Sequence, residues 1–229
     1  MQVRLDDVSH EYGASEEAAP VRVLEHVTLR IESGDLAILR GESGSGKSTL
    51  LNVIGAVDRP TSGRVFLGDV ETTALRESGL TLLRRHSIGF IFQFFNLVPT
   101  LDVAENVGFP LALAGTGKAE TAARVAAVLA RVGLAHRARH FPNELSGGEM
   151  QRVAIGRAII HKPSIILADE PTGNLDSKSG TAVLELIRQL HDETGATVIM
   201  ATHSETAAAY GDYSIEVADG RVRSGAARG

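Results

Sequence analysis

Gly41-Glu42-Ser43-Gly44-Ser45-Gly46-Lys47-Ser48-Thr49 is the stretch whose reading decides the fold. It matches a phosphate-binding loop: Gly, four free positions, then Gly-Lys-Ser/Thr. The apolar run Leu36-Ala37-Ile38-Leu39 leads into it, and Thr49-Leu50-Leu51-Asn52-Val53-Ile54 behind it reads as the start of a helix. Strand, loop and helix therefore follow in the order the motif requires. Glycines leave no Cβ in the way, so successive backbone N–H groups converge on phosphate oxygens. The helix N-terminus adds partial positive charge at the same point. In this pattern Lys47 reaches the β- and γ-phosphates, and the Ser48 hydroxyl faces Mg2+.

The bulk properties narrow the class. With 229 residues, 43% hydrophobic and 22% charged, the chain has the composition of a globular protein with a sizeable core. A net charge of −5 gives no general basic surface for nucleic acid. The absence of cysteine removes disulfides, a thiol nucleophile and Cys-ligated zinc. No apolar run approaches the roughly 18–20 residues of a membrane helix, and Pro110 interrupts the run Val107 to Gly115. Met1 to Asp7 lacks the apolar core of a signal peptide. The expectation is a cytoplasmic protein that meets a membrane only through a partner.

Along the chain, Val3–Val8 and Val27–Ile31 read as strands joined by the polar stretch Ala14 to Pro20, with Tyr12 just before it. Asp58 to Gly63 is a turn, and Arg64-Val65-Phe66-Leu67 a further strand. A helix over about Leu75–Arg85 leads to a buried strand from Ser87 to Phe92, ending at Gln93. Residues 102–140 are Ala-rich and helical, with Ala122, Val125, Ala126 and Leu129 predicted on one face. Strands return at Ile165–Ala168, Thr197–Ala201 and Tyr213–Val217, with a helix from about Gly180 to Glu193 between the first two. Apolar strands alternating with helices predict a parallel sheet covered on both faces. The expectation is one α/β domain with a helical insertion and a frayed tail from Ser224.

Asp169-Glu170 ends the strand that begins near Ser164. Ligands of open parallel sheets bind at the carboxyl ends of strands, which brings this pair to the phosphate loop. Asp169 suits the oxygen shell of Mg2+, and Glu170 could polarise a water for attack on a γ-phosphate; alone, the pair reads equally well as a solvated acidic turn. Ser146-Gly147-Gly148-Glu149 opens another helix and forms a second candidate anion site, or an ordinary Gly-rich cap. One triphosphate has a single γ-phosphate to clamp. Two half-sites on one chain thus suggest two chains facing head to tail, a pairing that closes with two-fold symmetry.

The run Leu145-Ser146-Gly147-Gly148-Glu149-Met150-Gln151-Arg152-Val153-Ala154-Ile155 resembles the signature of ATP-binding-cassette (ABC) ATPases. Gly41–Thr49 resembles their Walker A motif and Ile165–Glu170 their Walker B. Gln93 is similar to the Q-loop glutamine, Asn174-Leu175-Asp176 to the D-loop and His203 to the switch histidine. Phe92 to Leu101, Glu105-Asn106-Val107 and Ala168 to Asp176 resemble the lipoprotein-releasing and macrolide-exporter branch (LolD/MacB type), with bacitracin-type and cell-division ATPases sharing much of this.

This resemblance implies a P-loop NTPase (RecA-like) core with an N-terminal antiparallel β subdomain and an α-helical subdomain inserted at about 95–160, in one nucleotide-binding domain. It implies ATP and Mg2+ as cofactors. Gly41, Ser43, Gly44, Ser45, Gly46, Lys47, Ser48 and Thr49 would hold phosphates, and Ser48, Asp169 and Gln93 the metal. Glu170 would be the base, with Gln93, Lys47 and His203 beside it, His203 on the γ-phosphate. Ser146, Gly147, Gly148 and Glu149 would seal the other copy's nucleotide in a homodimer, Asp176 would cross to the partner and Tyr12 would stack on adenine. The apolar residues near Phe94, Phe95 and Leu97 would receive membrane permease subunits, placing the protein on the inner face of the cell membrane.

Three departures from the family pattern stand out: Ser204 after His203 in place of an acidic residue, Glu42 inside the phosphate loop, and Gly156 in place of alanine, at some cost in helix propensity. Two other roles compete with transport: an ABC ATPase acting on DNA or ribosomes, and a regulatory ATP-binding module of a membrane complex. DNA-repair types carry long coiled-coil or zinc insertions, for which this chain has neither the length between Lys47 and Asp169 nor the cysteine.

Overall fold

A computed structural model describes residues 1–13 and 20–223. Strands β1 (Val3–Tyr12), β2 (Val21–Ile31), β4 (Ser62–Leu67) and the short β5 (Val70–Glu71) form an antiparallel sheet in the order β2-β1-β4-β5. The strands expected at Val3–Val8 and Val27–Ile31 lie inside the longer β1 and β2. Most of the polar connection between them (14–19) and the tail from Ser224 fall outside the described residues.

The second sheet has six strands. β3 (Leu36–Arg40), β6 (Ile88–Ile91), β7 (Ile165–Asp169), β8 (Thr197–Thr202), β9 (Tyr213–Ala218) and β10 (Arg221–Arg223) lie in the order β10-β9-β3-β8-β7-β6, parallel except for the β9–β10 edge pair. The strand period of two sends alternate side chains to opposite faces. Leu36, Ile38, Ile166, Ala168, Val198 and Met200 face α3 (Val103–Leu113), α4 (Lys118–Arg131), α5 (Gly147–Ile159) and α6 (Ser177–Thr194). Ala37, Leu39, Ile165, Leu167, Ile199 and Ala201 face α1 (Lys47–Ile54) and the apolar sides of β1, β2 and β4. Helix α2 (Glu77–Ser87) precedes β6, and the single turn α7 (Glu205–Ala208) precedes β9.

Helices α3, α4 and α5 fill the chain between β6 and β7, where the insertion was expected. Ala122, Val125, Ala126 and Leu129 share one face of α4 as expected and line a groove with Gly108, Phe109 and Ala112 of α3. Val125 and Leu129 sit buried at its base, Ala122 and Ala126 are exposed, and Val128 packs against the core beside them. Gly156 has a use beyond propensity. A Cβ there would lie 3.1 Å from Val128 Cγ1 and 3.2 Å from Val107 Cγ2, so the missing methyl lets α3, α4 and α5 approach closely. Gly156→Val is therefore expected to destabilise the protein by about 1–3 kcal/mol, the scale of an overpacked core. A lower urea midpoint at unchanged slope would show it.

Candidate active site

The phosphate loop leaves β3 and enters α1 through Gly46, whose φ of 103° is left-handed and closed to most side chains. A Cβ there would sit 2.9 Å from Val23 O, so the loop is fixed by packing as well as by its glycines. Lys47 is buried and donates from Nζ to Gly41 O at 2.7 Å and Glu42 O at 2.8 Å, which points its ammonium back over the loop. Glu42 is exposed at the mouth of the loop. Ser45 Oγ is buried without a hydrogen-bond partner, an unfilled donor beneath a loop shaped for anions.

Across the loop stand the ends of two neighbouring strands. Ser48 Oγ donates to Asp169 Oδ1 at 3.0 Å. Burial pushes the Asp169 carboxyl above its ordinary pKa, against the lowering effect of the Ser48 hydroxyl. Glu170, just past β7, has a left-handed φ of 44° and donates its N–H to Ala201 O at 2.9 Å. Such a backbone is strained for a non-glycine residue and turns the Glu170 side chain away from the line of the strand. His203, just past β8, places Nδ1 2.8 Å from Glu170 Oε1. Ser204 N-caps α7 by accepting from Ala207 N, a task an acidic residue would also perform.

A cleft of about 510 Å³ unites these groups: Glu42, Ser43, Gly44, Gly46, Lys47, Ser48 and Thr49 face Gln93, Glu170 and His203, with Val23 at its side. Tyr12 is not among the lining residues. Its hydroxyl donates to Asp58 Oδ2 at 2.6 Å, its ring meets the edge of His10, and burial followed by the Asp58 contact raises its pKa. Asp58, also bonded to Asn52 Nδ2, is a contact the sequence did not announce, since a turn aspartate carries no mark of a distant tyrosine.

Ser146, Gly147 and Gly148 also stand outside the cleft. They begin α5, where Ser146 and Glu149 form a reciprocal capping box: Ser146 Oγ accepts from Glu149 N at 3.3 Å, and Glu149 Oε2 accepts from Ser146 N at 2.9 Å. The Ser146 N–H and then its hydroxyl hold the Glu149 carboxyl below its usual pKa, and Arg137 pairs with its other oxygen at 3.1 Å. This turn packs on Leu175 and Ser179. Asp176 caps α6 of its own chain, accepting from Lys178 N and Ser179 N.

An apolar groove of about 420 Å³ lies between α2, β6, α3 and α5, lined by Phe90, Phe92, Phe109, Pro110 and Leu113 among others. Of the stretch Phe94–Leu97, only Asn96 lines it: Phe94 is 72% exposed, and Leu97 packs against the core. Among the described residues, no helix is long and apolar enough to cross a membrane.

The sequence profile of the ABC transporter family matches residues 24–173. The lipoprotein-releasing system ATP-binding protein LolD of Geobacter metallireducens is 45% identical over 216 residues, 94% of this chain and 95% of LolD. The macrolide export ATP-binding/permease protein MacB of Burkholderia pseudomallei is 46% identical over 220 residues, 96% of this chain but 33% of that longer protein. Among solved structures, a dimeric post-hydrolysis state of the ATP-binding cassette MJ0796 bound to ADP and Pi superposes with a TM-score of 0.89 at 41% identity, covering 98% of this chain and 97% of that one. CbiO1 of Clostridium perfringens, part of a cbiONQ transporter complex, matches at 27% identity and a TM-score of 0.86, covering 97% and 87%. A phosphate cradle, a strained glutamate beside a histidine and these likenesses lead to one conclusion: the chain belongs to the ABC transporter family, as an ATPase cassette of the LolD and MacB type.

Proposed function

We propose that two copies of this chain close head to tail on two ATP molecules, and that closure drives membrane subunits which release lipoproteins or export peptide- or drug-like molecules. The observation that carries this reading is the division of the site. Lys47, Gln93, Glu170 and His203 share one cleft, while Ser146-Gly147-Gly148 open α5 outside it, a helix N-terminus of the kind that suits an anion. A second chain supplies what the first cleft lacks, Asp176 lying near that junction. The dimeric form of the MJ0796 cassette supports the pairing.

In this reading residues 41 and 43–49 hold the phosphates, Tyr12 stacks on adenine and Glu170 takes a proton from the attacking water while His203 bonds the γ-phosphate. The donor set fits Mg2+: Ser48 Oγ and Asp169 Oδ1 are hard oxygens already within 3.0 Å of each other, with the Gln93 amide in the same cleft. When bound, the ion neutralises phosphate charge. The groove around Phe92, Phe109 and Leu113 receives the membrane subunit; its lining is mostly apolar, with Arg84 held by Glu77 and Arg157 held by the Phe95 and Asn96 carbonyls, so an apolar segment fits it. The protein then sits on the inner face of the membrane through that contact.

Light scattering of a Glu170→Gln variant tests the pairing. Mg-ATP should double its mass, and adding Ser146→Arg should abolish the doubling while ATP still binds. A strictly monomeric, ATP-loaded protein with its membrane partners present would sink the reading.

A further inference from the structure

The signature helix α5 does more than end in Ser146. Gln151, one turn inside it, is completely buried. Its Nε2 donates to Pro171 O at 2.8 Å and, at a longer 3.4 Å, to Phe92 O. Phe92 precedes Gln93, and Pro171 follows Glu170. The orientation of the amide is fixed by this pair, because a flipped Oε1 would face two carbonyl oxygens. Oε1 itself is buried with no hydrogen-bond partner, a cost that an apolar side chain of the same length would not incur.

A second tie runs from the other end of α5. Arg157 donates to Phe95 O at 2.8 Å and Asn96 O at 2.6 Å, two residues in left-handed conformation. Burial lowers the guanidinium's pKa. The turn holding Gln93 is thus gripped on both sides from one helix. Asn174 Nδ2 adds a bond to Gln93 O at 2.9 Å, joining that turn to the segment after Glu170.

We infer that Gln151 is a positioning residue: by bridging the carbonyls of Phe92 and Pro171, it sets Gln93 and Glu170 in register with each other and with the helix whose end carries Ser146. Any movement of α5 on docking of a partner chain is then carried to the base and the glutamine of its own cleft. The inference rests on the proposed role of Glu170 and adds to it a part for a buried residue that does not line the cleft.

Gln151→Met, close in length and apolar, removes the bridge and leaves the core filled. We expect its kcat for ATP to fall by about 10²-fold, the effect of a displacement of about 1 Å at a reacting centre. KM, nucleotide affinity and thermal unfolding should stay near those of the parent protein. In a Glu170→Gln background, single-turnover hydrolysis should show almost no further loss on adding Gln151→Met, since both changes act through one group. An unchanged kcat in Gln151→Met, or the same fold-loss in both backgrounds, would overturn the inference. Gln151→Asn, which keeps the amide one methylene short, serves as the second variant: it should also lower kcat at constant KM, and full activity there would equally overturn it. Parent-like turnover by Glu170→Gln alone would instead remove the base assignment, a distinguishable result.

Discussion

Glu170→Gln should lower ATP turnover by roughly 10²–10⁴-fold, the usual worth of a positioned general base, while nucleotide binding persists. The amide keeps the size and shape of the side chain and can still meet His203, whose Nδ1 lies 2.8 Å from Glu170 Oε1. What it loses is the capacity to accept a proton from water. The left-handed backbone at Glu170 depends on the main-chain bond to Ala201, which the substitution leaves in place. Steady-state phosphate release, set beside calorimetric titration with Mg-ATP, separates the two quantities. Parent-like hydrolysis would assign the proton to another group.

Lys47→Ala should weaken Mg-ATP binding by about 10- to 100-fold, which is what one or two charge-assisted hydrogen bonds contribute, and turnover should fall with it. The ammonium is buried against Gly41 and Glu42 carbonyls, with the exposed phosphate loop before it. Its removal takes away a positive charge facing the phosphates and leaves two carbonyls without their donor. Titration of the variant with Mg-ATP measures the effect, and unchanged affinity would undo the assignment of Gly41–Thr49 as the phosphate cradle.

The parts of this fold that repeat or alternate were legible. Leu36–Leu39, Ile165–Ala168 and Thr197–Ala201 are continuous apolar runs because both faces of their sheet are covered, and they emerge as β3, β7 and β8. Short edge pieces such as β5 and β10 carry no period and went unread. The start of α6 was placed late, at Gly180, although Asp176 ahead of Ser177 is a ready N-cap. Long-range bonds had no local mark: nothing near Gln151 or Arg157 names Pro171 or Asn96 as a partner, because folding alone brings them together.

Ser146 Oγ also donates to Glu149 Oε2 at 2.8 Å, so the outermost hydroxyl of the signature turn is already satisfied by its own chain. A stray anion in solution must displace an internal carboxylate to capture that proton, and weak or singly charged species gain little by the exchange. In the proposed pairing, a terminal phosphate presented by a second cassette would be a stronger acceptor and would give the pair a threshold for assembly. In the same pairing, a bound diphosphate without a free phosphate beside it would offer nothing at that position and leave the hydroxyl on Glu149.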